Sequence, residues 1–444
     1  MESKQCDSSI YLDCWLATAS DWFDPAELHN QQDQDSTPSL PFLPRRTLTS
    51  PPSPKTSLLH SRPQKRKRGR SMNSDTASNA SGETRATATS ATSFQNRPIL
   101  HPTPPSSRQR SPSPIRKVLS QLKLATPSLR VCQPDVRLEQ PPAVKRLRSM
   151  LIQKLSIKVI PHSLQTRLQT ADPDQFAVFQ AFGTSSHLFE DPTIVHPASY
   201  TDGLWQMADK IYNEARRCYD NHLDESAWMK VVNNVLESAE LGQDLSMLRV
   251  HSIQTQSIDP AFLPKHVSQS FAKKADLALA FSSDHPTVAT AIEPVQKANP
   301  DMALSQMTDA YTSTVPLVCC LEVKERGGDY NEAIMQLGIW SAAGLERLRG
   351  LWTISNNNSE RDIKEEELPP FLGWTVVGHD WKFHISWKDA SGNVIVLGPW
   401  RSLNAGTSSH AEILILMVLI RTVKRWLEQE YWAWMCRNVL DGLK

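Results

Sequence analysis

The sequence of 444 residues has few cysteines and no long apolar run. Its seven cysteines are an odd number and include no CxxC pair, which predicts a reduced intracellular chain and gives no support to a disulfide framework or a zinc site. The longest apolar run, residues 413–420, has eight residues, whereas a bilayer span needs about 20. The acidic N-terminus does not resemble a secretory signal peptide. We therefore expect no membrane span and no secretion.

Acidic residues are also scarce in one long stretch of the chain. Residues 41–170 contain 24 Lys and Arg against 4 Asp and Glu, whereas residues 171–444 contain 23 against 35. The net charge of +1 therefore hides a basic tail joined to a moderately acidic body. A strongly basic tail is typical of contact with nucleic acid, and the acidic body carries no such signal.

Composition divides the chain into three parts. Residues 1–30 can hold a short docking helix whose Trp15 and Trp22 contact a protein partner or the folded body, and the alternative is a partly ordered terminus. Residues 31–145 are rich in Ser, Pro and basic residues and are expected to be disordered, because such a segment buries too little apolar surface to fold. Residues 175–440 are expected to form the globular domain. Near its end, Trp426, Trp432 and Trp434 offer a second possible contact for a protein partner.

A compact basic cluster lies inside the Ser/Pro-rich part. Its members are Lys65, Arg66, Lys67, Arg68 and Arg70. Such clusters commonly serve nuclear import or phosphate contact, and the alternative is a solvated run of charge. The cluster predicts a nuclear protein.

The globular part alternates helical and extended patterns. Asp224 can cap a helix that begins at Glu225, and a strand is predicted around residues 248–255. A second strand includes Asp276, a third covers residues 317–324, and the helix that follows carries Gln336. Further strands and two apolar helices complete the pattern.

The third strand raises a question about Glu322 and Lys324. Side chains alternate along a strand, so these two point to one face at the strand end while Leu321 and Val323 point to the other. The pair is either an ion pair at a strand end or half of an active site. Asp276 lies in an apolar run, where a charge must be paired or bound to a metal. Glu225 has a second explanation, since helix N-termini favour acids.

Metal-dependent cleavage of phosphodiester bonds uses the groups that these residues supply. Carboxylate oxygens bind hard cations such as magnesium. The cation activates water and stabilises charge on the phosphate, and a nearby lysine neutralises the developing charge. Because adjacent strands lie about 4.8 Å apart, Asp276 and Glu322 can share one ion.

The ordered set resembles the PD-(D/E)XK nuclease superfamily, in particular the nuclease-like domain of fungal proteins. The matching segments are Glu225-x-x-Trp228-x-x-Val231, Lys274-Ala275-Asp276, Leu321-Glu322-Val323-Lys324, Glu332-Ala333-x-x-Gln336-Leu337-Gly338-Ile339-Trp340 and Gly378-His379-Asp380-Trp381. The resemblance covers about residues 175–440. It implies an α/β (α+β) fold with a central mixed β-sheet flanked by helices.

The resemblance also implies roles for the site residues. Asp276 and Glu322 would bind Mg²⁺, or Mn²⁺, with the carbonyl of Val323 and with Glu225 as an accessory ligand. Lys324 would assist the attacking water, and Gln336 would orient the site.

Three functions follow as hypotheses. The first is a nuclease acting on DNA rather than RNA. The second is an inactive nuclease fold that binds DNA or chromatin in the nucleus. The third is a protein-interaction module that uses the Trp-rich ends.

Overall fold

The computed structural model describes residues 114–135, 137–156, 158–181, 188–241, 246–268, 270–271, 274–356, 364–403 and 405–444. The docking helix expected at residues 1–30 lies outside the described residues. So do the Lys65–Arg70 cluster and the part of the expected disordered segment that precedes residue 114.

The described residues form ten α-helices and eight β-strands. The helices are α1 (Pro114–Leu122), α2 (Pro142–Leu155), α3 (Gln165–Ala171), α4 (Pro173–Ala181), α5 (Ala198–Asp220), α6 (Glu225–Ser238), α7 (Pro286–Ala298), α8 (Tyr330–Ser355), α9 (His410–Trp426) and α10 (Trp432–Asn438). The strands are β1 (Leu129–Cys132), β2 (Leu248–Ser252), β3 (Leu277–Phe281), β4 (Leu317–Lys324), β5 (Phe371–Val377), β6 (Asp380–Lys388), β7 (Val394–Leu397) and β8 (Ala405–Gly406).

All eight strands belong to one mixed sheet. Its order is β1-β7-β6-β5-β4-β3-β2, and β8 pairs with β6. The pairs β1·β7 and β4·β5 are parallel, and the other pairs are antiparallel. Helices flank this sheet, so the predicted fold class is confirmed.

The centre of the sheet is buried on both faces. Every residue of β3, and every residue of β4 except Lys324, is buried, which explains why these strands read as continuous apolar runs. Helix α8 crosses the strands closely: a Cβ at Gly373 would lie 2.9 Å from Leu337, and one at Gly344 would lie 2.2 Å from the Phe371 ring. Helix α6 also packs against β4.

Local signals set the ends of the two helices near the site. Asp224 caps α6 by accepting a hydrogen bond from the Ala227 N–H at 3.1 Å, as the sequence predicts. Asp329 caps α8 in the same way, through the Asn331 N–H at 2.8 Å. The β3 strand begins one residue later than expected, so Asp276 lies immediately before it.

The folded part begins earlier than the sequence pattern indicates. Residues 114–145 were expected to be disordered and the domain to begin near residue 175, but α1, β1 and the start of α2 lie in this stretch. That expectation is wrong for residues 114–145. Proline at the first position of α1 and near the start of α2 is compatible with a helix, and β1 is stabilised by pairing with β7, more than 260 residues away. The local composition around β1 does not predict its pairing with β7.

The C-terminal tryptophans do not form an exposed contact surface. Trp426 and Trp432 are buried, and the Trp432 ring lies 4.5 Å from that of Phe281. Trp434 is half-buried and packs edge-on against Trp352. The prediction that these three tryptophans offer a contact for a protein partner is therefore wrong, because their rings pack in the core. Trp15 and Trp22 lie outside the described residues.

None of the helices in the described part of the chain has the length and apolarity required to cross a membrane.

Candidate active site

Strand β4 presents Glu322 and Lys324 on one face at its C-terminal end. The register pairs Leu277 of β3 with Leu321, and one further step places Asp276 opposite Glu322. Residues opposite each other in a sheet share a face. Asp276, Glu322 and Lys324 therefore meet at one end of two adjacent strands.

Two hydrogen bonds hold the Asp276 carboxylate. Its Oδ2 accepts from the backbone N–H of Val323 at 2.8 Å, and its Oδ1 accepts from Gln254 Nε2 at 3.0 Å. The observed contact of Val323 with the site is thus through its N–H, whereas the resemblance assigns a role to its carbonyl. These contacts fix the carboxylate beside Glu322.

Lys324 lies between two glutamates. Its Nζ is 2.8 Å from Glu322 Oε1 and 3.4 Å from Glu225 Oε2. Glu225 is the first residue of α6, so the ion pair joins this helix to the end of β4. The Glu322 side chain is fully buried, that of Lys324 is 13% exposed, and that of Glu225 is 38% exposed. The cluster is therefore open to solvent mainly at Glu225.

The cluster holds more negative than positive charge. Burial raises the pKa of Glu322 well above its ordinary value, Asp276 raises it further, and Lys324 opposes this increase. Burial also raises the pKa of Glu225. Burial alone lowers the pKa of Lys324, but Glu322 outweighs it and the net pKa is raised. Three carboxylates and one ammonium therefore favour an additional positive charge, supplied by a proton or by a cation.

Gln336 contacts the loop that leads to Asp276. Its Nε2 donates to the carbonyl of Lys274 at 3.1 Å, two residues before Asp276. Its Oε1 is buried and has no hydrogen-bond partner among the described residues. Gln336 thus ties α8 to the segment before β3. The structure brings together the four charged side chains that the sequence singles out, and Gln336 contacts the backbone beside them.

The donor set suits a hard divalent cation. The Glu322 Oε2 atom is buried and has no hydrogen-bond partner in the described part of the chain, and a formal charge of −2 for Glu225, Asp276, Glu322 and Lys324 matches a dication. No group of three or more His, Cys, Asp or Glu side chains among the described residues is arranged to hold a metal ion by itself. Magnesium commonly takes only one or two carboxylates and completes its shell with water, so the two-carboxylate pair fits.

Sequence reasoning missed Gln254 and Arg326. Gln254 lies just beyond β2, and its closeness to Asp276 follows only from the β2·β3 register. Arg326 follows Lys324 by two residues, and its guanidinium lies 3.7 Å from the centre of the Tyr219 ring. Its position two residues after the Glu-x-Lys pair is the available signal in the sequence.

Comparison with known proteins agrees with the geometry. The family model described as the PD-(D/E)XK nuclease superfamily matches residues 166–432, more than half of the chain. No curated protein matches the sequence. Because the family match includes both strands and both helices of the site, the chain belongs to the PD-(D/E)XK nuclease superfamily.

Proposed function

We propose that the domain is a divalent-metal-dependent nuclease that acts on DNA. The observation that carries this proposal is the meeting of Asp276 and Glu322 with Lys324 at the end of two adjacent strands. Metal-dependent phosphodiester cleavage needs carboxylates for the cation and a cationic group near the phosphate. Family membership adds a fold that commonly supports this chemistry.

Asp276 and Glu322 would hold the cation, which is Mg²⁺ or Mn²⁺ in this proposal. Glu225 and the carbonyl of Val323 would be accessory ligands. When bound, a divalent cation supplies stabilisation of the negative charge that develops on a phosphate during cleavage. The fully buried Glu322, with its unpartnered Oε2, is the strongest ligand candidate.

Lys324 would act through its charge. Its raised pKa keeps it an ammonium and makes it a poor proton acceptor while Glu322 lies beside it. It would therefore orient the attacking water and neutralise charge on the phosphate. Gln336 would act indirectly, since it holds the loop before Asp276 through the Lys274 carbonyl.

Several cations near the site support binding of a phosphate backbone. Arg326 is exposed and follows β4, and Lys274 precedes Asp276 by two residues. Lys382 of β6 pairs with Thr375 of β5, which in turn pairs with Glu322 of β4. The acidic balance of the domain is unfavourable for DNA, so we infer that the basic tail contributes affinity and that its Lys65–Arg70 cluster also directs the protein to the nucleus.

The direct test is nicking of supercoiled DNA by the purified full chain. We expect nicks in the presence of Mg²⁺ or Mn²⁺ and none in excess EDTA. Glu322→Gln and Lys324→Ala should abolish the activity while the protein remains folded. Lys297→Ala, a change of an exposed lysine on α7 that pairs with Glu293 in the same helix, should leave it intact. Nicking that is equal in the Glu322→Gln protein would contradict the proposal.

A second candidate is an inactive nuclease fold that binds DNA or chromatin. The full burial of Glu322 and the 13% exposure of the Lys324 side chain favour it, because a substrate has little access to them. This candidate predicts DNA binding that weakens with salt. Binding should persist in Glu322→Ala and be lost when Lys65, Arg66, Lys67, Arg68 and Arg70 are replaced by Ala. Absence of DNA binding at low salt would favour a protein-interaction role instead.

A further inference from the structure

A second cleft lies away from the carboxylate site. It has a volume of about 420 Å³ and is bounded by the end of α2, the segment at residues 158–161, Glu190, the start of α5 and residues 414–425 of α9. Its charged lining consists of Lys154, Lys158, Glu190, Arg421 and Arg425. The lining therefore has a formal charge of +3, in a domain whose overall balance is acidic.

The positive charge of this cleft is only weakly compensated. The Glu190 carboxylate is already engaged, because its Oε2 lies 2.5 Å from His196 Nε2. Lys158 pairs with Asp191 at 3.7 Å, and both side chains are 47% exposed, so this pair contributes little. Within the part of the chain that the structure describes, Lys154 and Arg425 form no ion pair. The cleft is therefore suited to an anionic ligand.

Arg421 is held in a fixed orientation beside the cleft. Its Nε donates to the Ala239 carbonyl at 3.1 Å and its Nη1 donates to Tyr200 Oη at 3.2 Å. Its Nη2 is buried and has no hydrogen-bond partner among the described residues. An unpartnered buried N–H is costly, and the oxygen of a phosphate or carboxylate is the partner that a guanidinium binds best.

The cleft and the carboxylate site lie at opposite ends of α6. Ala239, which Arg421 contacts, directly follows this helix, and Glu225 is its first residue. At 1.5 Å per residue, these ends are about 20 Å apart. The cleft is thus a separate site and not an extension of the first.

We propose that this cleft binds a small organic phosphate. Lys154, Arg421 and Arg425 would bind the phosphate, and the apolar wall formed by Leu414 and Met417 would contact the organic group. A concave site of this volume falls in the range of small-ligand pockets, about 300 to 1,000 Å³. A nucleic-acid duplex presents its phosphates along an extended convex backbone, so a concave site of this limited volume favours a small ligand over a polymer.

Calorimetric titration of the full chain with AMP tests the proposal. Excess EDTA excludes binding through a metal at the carboxylate site. Adenosine is the matched control without a phosphate, and we expect its affinity to be at least about tenfold weaker than that of AMP. Inorganic phosphate should compete with AMP. Equal affinities for adenosine and AMP, or binding of duplex DNA without any binding of AMP, would overturn the proposal.

Charge reversal locates the binding site. Lys154→Glu combined with Arg425→Glu changes two exposed side chains and turns the formal charge of the lining from +3 to −1. We expect AMP to bind at least about tenfold more weakly, with circular dichroism like that of the wild type. Lys297→Glu, on the exposed surface of α7, is the matched control and should bind AMP normally. An unchanged affinity in the double variant would show that AMP binds elsewhere and would refute the assignment of this cleft.

Discussion

Gln254 holds one oxygen of Asp276 while its own side chain lies largely at the surface. We predict that Gln254→Ala weakens binding of Mn²⁺ about tenfold, because residues that orient metal ligands commonly contribute 10- to 100-fold to metal affinity. Calorimetric titration measures the effect. Gln296→Ala, which also removes one side-chain hydrogen bond but lies on α7, should bind Mn²⁺ normally. Equal affinities of the two variants for Mn²⁺ would show that Gln254 does not support metal binding.

Glu322 should make stability depend on pH. Burial and Asp276 raise its pKa in the folded protein, so the folded state holds the proton more tightly than the unfolded state. The resulting stabilisation is complete below the ordinary pKa of a glutamate, about 4.3, and is lost as pH rises through the folded value. We predict that Glu322→Gln is more stable than the wild type at high pH and loses this advantage at low pH.

Urea unfolding of both proteins at about pH 5, 7 and 9 measures this difference. A free-energy difference that does not change with pH would contradict the pKa assignment. Lys324→Met is a useful comparison, because removal of the neighbouring ammonium should raise the pKa of Glu322 further and extend the dependence of stability to higher pH.

The sequence identifies the charged members of the site but not their geometry. Asp276, Glu322 and Lys324 stand out because strand periodicity puts charge in apolar surroundings. The contact of Gln254 with Asp276 depends on the β2·β3 register, and the bond from the Val323 N–H to Asp276 depends on the approach of one side chain to the neighbouring backbone. Neither is encoded in a local pattern.

Two of the three glycines in helix α8 have opposite expected responses to substitution. A Cβ at Gly344 would lie 2.2 Å from the Phe371 ring, whereas a Cβ at Gly350 would meet nothing within 4 Å. We predict that Gly344→Ala lowers the free energy of unfolding by about 1–3 kcal/mol, the usual cost of overpacking. Gly350→Ala should raise it by about 0.5–1 kcal/mol, because alanine is the better helix former.

Thermal or urea unfolding of the two variants tests the close packing of α8 on β5. The pair is matched, since both substitutions add one methyl group to the same helix. If Gly344→Ala were as stable as Gly350→Ala, the contact with Phe371 would not be as close as described.

Strong local signals explain which elements the sequence predicts well. The capped start of α6, the buried strands β3 and β4, and the hairpin at Gly378 are all visible in the sequence. Strand β1 is not visible, because four residues near several prolines are extended only by their pairing with β7. Composition there indicates disorder, and a contact distant in sequence overrides it.

At the scale of the whole molecule, the fold extends beyond the family match. The match begins at residue 166, but β1 forms one edge of the sheet, and Leu129, Leu147 and Leu151 are buried. We predict that a chain beginning at residue 114 unfolds at the same temperature as the full protein. A chain beginning at residue 166 should unfold at least about 10 °C lower, because it loses several buried leucines, each contributing about 2–5 kcal/mol.

Differential scanning calorimetry of the two truncated chains makes this comparison. Equal transition temperatures for the chains that begin at residues 114 and 166 would show that β1 and α2 are dispensable. The chain beginning at residue 114 also lacks the Lys65–Arg70 cluster, so it separates the contribution of the basic tail to DNA binding from the stability of the domain.

The proposed metal site already contains a cation that belongs to the protein, the ammonium of Lys324. Its Nζ lies 2.8 Å from Glu322 Oε1 and 3.4 Å from Glu225 Oε2, so under the proposed function an incoming metal ion would compete with this ammonium for both glutamates. The charge of the buried Glu322 carboxylate is therefore already balanced by Lys324. Under the proposed function, a stronger ion pair between Lys324 and Glu322 would therefore raise the concentration of Mg²⁺ or Mn²⁺ needed for binding.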